Sequence, residues 1–128
     1  MYKNYIGLSF ETKVEIKPYD IDVANHVNNI VYIRWLEDLR IKLFDQFLPI
    51  SKLLEEKIYL VVISTDIKYK KQLTLFDEPT GKIKLTDYSH GIFTLNAEIS
   101  VSNKIAFTAI QKCILMDLTS GKMLKKTL

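Results

Sequence analysis

The residues best suited to chemistry lie between positions 19 and 29. This segment contains two aspartates, three asparagines and one of the two histidines of the chain. A helical pattern of apolar residues begins directly after it, so a loop carries these groups to the N-terminus of a helix. That end of a helix has backbone N–H groups without partners and a partial positive charge. A carboxylate beside such donors suits a reaction in which negative charge develops on a substrate oxygen.

The helix that follows is predicted from about Asn29 to Phe47. At 100° per residue, five apolar side chains fall on one stripe: Tyr32, Leu36, Leu39, Leu43 and Phe47. Three further apolar residues, Val31, Trp35 and Ile41, lie away from that stripe. The helix therefore has more apolar surface than one packing face needs, and a second subunit is one way to cover it.

The rest of the chain has the pattern of strands. Alternating residues predict a strand over 10–17, which Pro18 ends, and a short helical turn is expected over 50–57. Later strands are expected over 59–69, 82–86, 93–101 and 105–118, with Ser102 and Asn103 as a tight hairpin. One helix cannot cover both faces of such a sheet, so the sheet must curl around it or pair with another copy. The sequence therefore predicts one α+β domain over residues 1–128.

Composition limits the function classes. The 48% hydrophobic and 26% charged fractions are ordinary for a soluble domain, and the net charge of +3 is mild. No apolar run is long enough to span a membrane, and no secretory signal is visible. The single cysteine, Cys113, excludes an internal disulfide and suits a reducing compartment, so a cytoplasmic location is expected without a membrane partner. No nucleic-acid recognition motif is present, and two distant histidines with one strand cysteine are a poor metal-ligand set.

The segment before the helix also resembles a known signature. Asp20-Ile21-Asp22, then Asn25-His26-Val27-Asn28-Asn29 and then Tyr32, is similar to hot-dog-fold acyl-CoA thioesterases of the 4-hydroxybenzoyl-CoA thioesterase type. The resemblance implies an α+β hot-dog fold, in which an antiparallel β-sheet wraps around one long central α-helix. It also implies a thioesterase that releases a free acid and CoA, as a homodimer or homotetramer. No cofactor is implied beyond the CoA of the substrate.

The resemblance implies roles for individual residues. Asp22 is the catalytic carboxylate, acting either as a nucleophile or as a base on water. Asn29 offers its backbone N–H to the thioester carbonyl, while Asn28 and Tyr32 help to form the substrate site. His26 is included among the catalytic residues, although it can equally orient the loop. Asn25 stands where many relatives have glycine, and asparagine tolerates left-handed backbone angles.

A basic cluster over residues 68–71 supplies the remaining substrate-binding candidates. A solvated strand face is the ordinary interpretation of such a cluster, and binding of a phosphate-bearing ligand is the functional one. Lys70 and Lys71 are expected to contact the CoA phosphates on the second interpretation.

Two alternative functions remain open. Enoyl-thioester hydratases and dehydratases share the fold, but the usual aspartate–histidine spacing is longer than Asp22 to His26. A non-catalytic acyl-thioester binding protein would present the same pocket without turnover.

Overall fold

The computed structural model describes residues 2–124 and contains one five-stranded antiparallel sheet with one long helix. The strands are β1 Ser9–Lys13, β2 Ile58–Tyr69, β3 Thr80–Ser89, β4 Ile92–Val101 and β5 Lys104–Asp117. The long helix is α1, Asn29–Asp45, and the short helix α2 spans Ile50–Glu55. Short 3-10 turns occupy Tyr2–Tyr5 and Pro18–Asp20. The strand order is β1-β3-β4-β5-β2, which leaves β1 and β2 at the two edges.

The sheet buries the face predicted by the alternation in the sequence. In β4, the side chains of Phe93, Leu95, Ala97, Ile99 and Val101 are buried, whereas the residues between them are exposed or half-buried. The Ser102–Asn103 hairpin is confirmed, because both residues have positive φ, 51° and 63°, as a type I′ turn requires. The described residues share one hydrophobic core, and the single domain over 1–128 stays a prediction.

Helix α1 supplies a wide part of that core. Its buried side chains are Val31, Tyr32, Trp35, Leu36, Leu39, Leu43 and Phe44. Val31 and Trp35, which the stripe leaves out, are therefore covered within a single chain, and no second subunit is needed for them. Phe44 is also buried although it is not on the predicted stripe, whereas Phe47 lies beyond the helix end and is half-buried.

The first strand is shorter than predicted. Residues 10–17 were expected to form it, but β1 pairs with β3 only from Ser9 to Lys13, opposite Lys84 to Thr80. Residue 79 on the β3 side is a proline, and proline has no N–H to continue the ladder. One last hydrogen bond, from the Val14 N–H to the Pro79 carbonyl (2.9 Å), ends the pairing.

Candidate active site

A closed loop carries the polar segment to the start of α1. The Asp20 side chain is buried, and its Oδ2 accepts a hydrogen bond from the Lys17 N–H at 2.9 Å. The Asp20 carbonyl accepts from the Asn28 N–H, also at 2.9 Å, and Ile21 and Val27 form an isolated β-bridge. Asp20 therefore holds the loop closed.

Asp22 occupies the tip of this loop with one carboxylate oxygen engaged. Its Oδ1 accepts hydrogen bonds from the N–H groups of Ala24 (2.9 Å) and His26 (3.2 Å). Asn25 completes the turn with a φ of 64°, the left-handed geometry that the sequence predicts there. Oδ2 has no hydrogen-bond partner among residues 2–124, and the side chain is exposed. The carboxylate is thus held in place by one oxygen and available through the other.

The start of α1 leaves a backbone donor free. Asn28 is the N-cap, and its Oδ1 accepts from the Ile30 N–H at 3.1 Å. The Asn28 carbonyl accepts from the Val31 N–H at 2.9 Å. The Asn29 N–H has no acceptor in the described part of the chain. This N–H lies at the positive end of the helix dipole and is suited to a substrate oxygen that gains negative charge.

These groups meet in one cleft of about 390 Å³. The predicted site residues that line it are Asp22, His26, Asn28, Asn29, Tyr32 and Lys71. Tyr69 and Gln72 also line it and were not among the predicted residues. Tyr69 follows the alternation of β2, so its position on the inner face was visible in the sequence, but its closeness to α1 was not. Lys70 does not line the cleft, and its predicted contact with CoA stays a prediction.

Tyr32 forms the aromatic base of the cleft. Its ring stacks on Phe107 with centroids 4.8 Å apart and meets the edges of Tyr69 (5.5 Å) and Trp35 (5.2 Å). Burial raises the pKa of Tyr32, while a hydrogen bond with the Leu73 backbone acts in the opposite direction. The Leu73 carbonyl accepts from the Val27 N–H at 2.8 Å, so the segment after β2 is tied to the loop before α1.

Cys113 lies apart from this cleft and is fully buried on β5. Burial raises the pKa of its thiol to about 11, so the thiol is protonated at neutral pH, as expected for a core residue. Within residues 2–124, no three His, Cys, Asp or Glu side chains are grouped so that they could hold a metal ion. No helix in that range is long and apolar enough to cross a membrane.

Comparison with known proteins matches most of the chain to one family. The family described as the thioesterase-like superfamily matches residues 16–126. The long-chain acyl-CoA thioesterase FadM of Escherichia coli (strain K12) is 23% identical over 116 residues, which cover 89% of this chain and 88% of that protein.

Two solved structures share the fold. A probable thioesterase from Bartonella henselae has a TM-score of 0.84 at 18% identity, covering 93% of this chain and 99% of that one. A Staphylococcus aureus protein solved in complex with CoA has a TM-score of 0.86 at 16% identity, covering 95% and 78% respectively.

Proposed function

Because the chain belongs to the thioesterase-like superfamily, we propose that it hydrolyses acyl-CoA thioesters at the cleft beside Asn29. Family membership confirms the predicted hot-dog fold and the predicted thioester hydrolase. The site itself rests on one observation, namely that a free carboxylate oxygen of Asp22 and a free N–H of Asn29 belong to residues lining the same cleft. The E. coli relative is named for long-chain acyl-CoA, and the S. aureus structure contains CoA, which supports a CoA ester as the substrate.

The two groups divide the chemistry of hydrolysis. Water adds to the thioester carbon, the C–S bond breaks, and the products are a carboxylic acid and CoA. Asp22 either takes a proton from that water or attacks first to form an anhydride that water then opens. The Asn29 N–H stabilises the charge on the carbonyl oxygen, and one such donor is typically worth about 10²–10³ in rate.

His26 and Lys71 have supporting roles in this proposal. The His26 side chain is half-buried in the cleft wall, close enough along the loop to orient a substrate or water. Lys71 lines the cleft and is exposed, so we expect its ammonium group to meet the CoA phosphates. Lys70 is assigned a weaker contact further out, because it is exposed but does not line the cleft.

A second copy of the chain is expected at strand β2. This edge strand has 12 residues and pairs only with β5, so its other side carries unpaired backbone groups. Tyr59, Ile63 and Tyr69 on it are 37%, 49% and 48% exposed. Pairing of two β2 strands would give a homodimer and bring a partner close to Tyr69 in the cleft. Light scattering at micromolar concentration tests this, and a monomer would contradict it.

We propose a cytoplasmic location for the protein. Its one cysteine is a free thiol, which is usual in a reducing compartment.

Thiol release from a panel of acyl-CoA esters is the direct test. Asp22→Asn keeps the Oδ1 acceptor of the loop but removes the charge, so we expect a loss of about 10²–10⁴ in kcat with little change in stability. Asp45→Asn is the matched control, because Asp45 is an exposed aspartate at the other end of α1. Unchanged turnover in Asp22→Asn would refute the role of this carboxylate.

The same panel distinguishes the alternative functions. Addition of water to crotonyl-CoA without release of CoA would indicate a hydratase. Tight binding of every ester without turnover would indicate a binding protein. If hydrolysis persisted in Asp22→Asn but was lost in His26→Ala, the histidine would be the catalytic residue.

A further inference from the structure

A second concavity lies between edge strand β1 and helix α1. Its volume is about 340 Å³, and none of its lining residues lines the cleft at Asn29. The apolar part of its wall consists of Phe10, Val14, Trp35, Leu39 and Ile41. We call this concavity the β1–α1 groove. Its volume falls in the range of small-molecule sites, which are about 300–1,000 Å³ and mostly apolar with a few polar groups.

Two residues of the groove wall pack closely against a glycine of β3. A Cβ added at Gly81 would lie 3.1 Å from both Leu39 Cδ1 and Val14 Cγ2. Glycine therefore lets the α1 and β1 sides of the groove approach the sheet closely. Trp35 and Leu39 in the wall are buried, while Phe10 and Ile41 are half-buried.

The rim of the groove is charged and unpaired. Lys13 on β1 and Lys42 on α1 both line it and are exposed. Asp38 lines it too, one helical turn before Lys42, but no ion pair joins them. The ion pair found among residues 2–124 is Lys17–Glu15, outside the groove. The rim therefore has two free ammonium groups against one carboxylate.

We propose that the β1–α1 groove binds a fatty acid. The alkyl chain lies on the Trp35, Leu39 and Ile41 surface, and the carboxylate lies between the ammonium groups of Lys13 and Lys42. A second copy of the chain is a poorer occupant, because it would have to desolvate both unpaired lysines together with Asp38. The proposed reaction releases ligands of this kind, but the ligand class follows from the groove alone and does not depend on that activity.

The chain carries its own reporter of binding at this site. Trp35 is its only tryptophan and lines the groove, so its emission responds to an occupant. Titration of the purified protein with dodecanoate, below the concentration at which it forms micelles, should give a saturable change in that emission. Dodecanol, which lacks the charge, should bind more weakly.

Three variants locate the ligand. Ile41→Glu places a carboxylate in the apolar wall and should weaken dodecanoate at least tenfold. The double change Lys13→Glu and Lys42→Glu should weaken dodecanoate at least tenfold while leaving dodecanol unchanged. Lys52→Glu on α2 is the control, an exposed lysine outside the groove, and should leave both affinities unchanged. All four substituted side chains are exposed or half-buried, so folding should persist, and circular dichroism checks it.

Several outcomes would overturn the proposal. One is the absence of a saturable change in Trp35 emission. Another is a change in emission that persists in Ile41→Glu and is abolished by excess CoA ester. The acid would then bind in the cleft at Asn29 and affect Trp35 through its ring contact with Tyr32. A third is a wild-type oligomer whose Trp35 emission does not respond to dodecanoate and which dissociates in Ile41→Glu. A second copy of the chain would then occupy the groove. Loss of thioesterase activity does not enter this test, so the two proposals fail separately.

Discussion

Replacement of Asn28 separates the stability of α1 from the chemistry at its N-terminus. Asn28→Ala removes the Oδ1 that accepts the Ile30 N–H at 3.1 Å. Loss of such a cap costs about 1 kcal/mol of stability, within a range of about 0.5–2. Asn28→Asp keeps an oxygen acceptor at the same place and adds negative charge beside the helix dipole, which is worth about 0.3–1 kcal/mol in favour of folding.

The same aspartate should impair hydrolysis. Its charge adjoins the Asn29 N–H, where the proposed reaction develops a second negative charge. Two like charges about 4 Å apart repel by roughly 1–4 kcal/mol, depending on how much water screens them. This corresponds to a roughly 5- to 1000-fold lower kcat. Asn28→Ala keeps the Asn29 N–H and adds no charge, so it should lose more stability and less activity than Asn28→Asp.

Two measurements on the same three proteins decide the matter. Urea unfolding, followed by circular dichroism, gives the free energy of unfolding, and a thiol reagent gives the rate of CoA release. Cys113 is buried, so the folded protein contributes little background to the reagent. If Asn28→Asp hydrolysed its substrate at the wild-type rate, the oxyanion would not lie at this helix end. If the urea midpoint of Asn28→Ala equalled that of the wild type, the capping hydrogen bond would contribute nothing to stability.

Three further predictions concern the stability of the fold. Asp20→Ala removes the acceptor of the Lys17 N–H and should destabilise the protein by about 1–3 kcal/mol in urea unfolding, whereas Asp20→Asn should retain most of that stability. Burial raises the pKa of the Cys113 thiol from 9.0 to about 11, so above pH 9 the native state keeps a proton that the unfolded state loses. The free energy of unfolding should therefore fall between about pH 9 and 11. This fall should be shallower in Cys113→Ala. Gln111→Leu removes the buried acceptor of Arg40 Nη1 (3.0 Å) and should lower the free energy of unfolding by about 1–3 kcal/mol; an unchanged urea midpoint would mean that water replaces this bond.

Local patterns made much of the fold predictable from the sequence. The 3.6-residue period placed α1 within two residues of its observed end, and the alternation in β4 identified its buried face. The length of β1 was not predictable, because it depends on which residue of β3 lies opposite. Pro79 stops that ladder, and only the pairing register brings it there.

The order of groups along the chain determined where chemistry can occur. Asp22, His26, Asn28 and Asn29 lie within eight residues, and an asparagine N-cap directly before an apolar period defines a helix start from local physics alone. The turn from Asp22 to His26 also engages one oxygen of Asp22 through local hydrogen bonds. The tertiary structure decided what surrounds these groups, because it brings Tyr69 and Gln72 to the helix start from more than 30 positions away in the chain. Contacts of that range depend on strand register and on packing across the core, which no local pattern encodes.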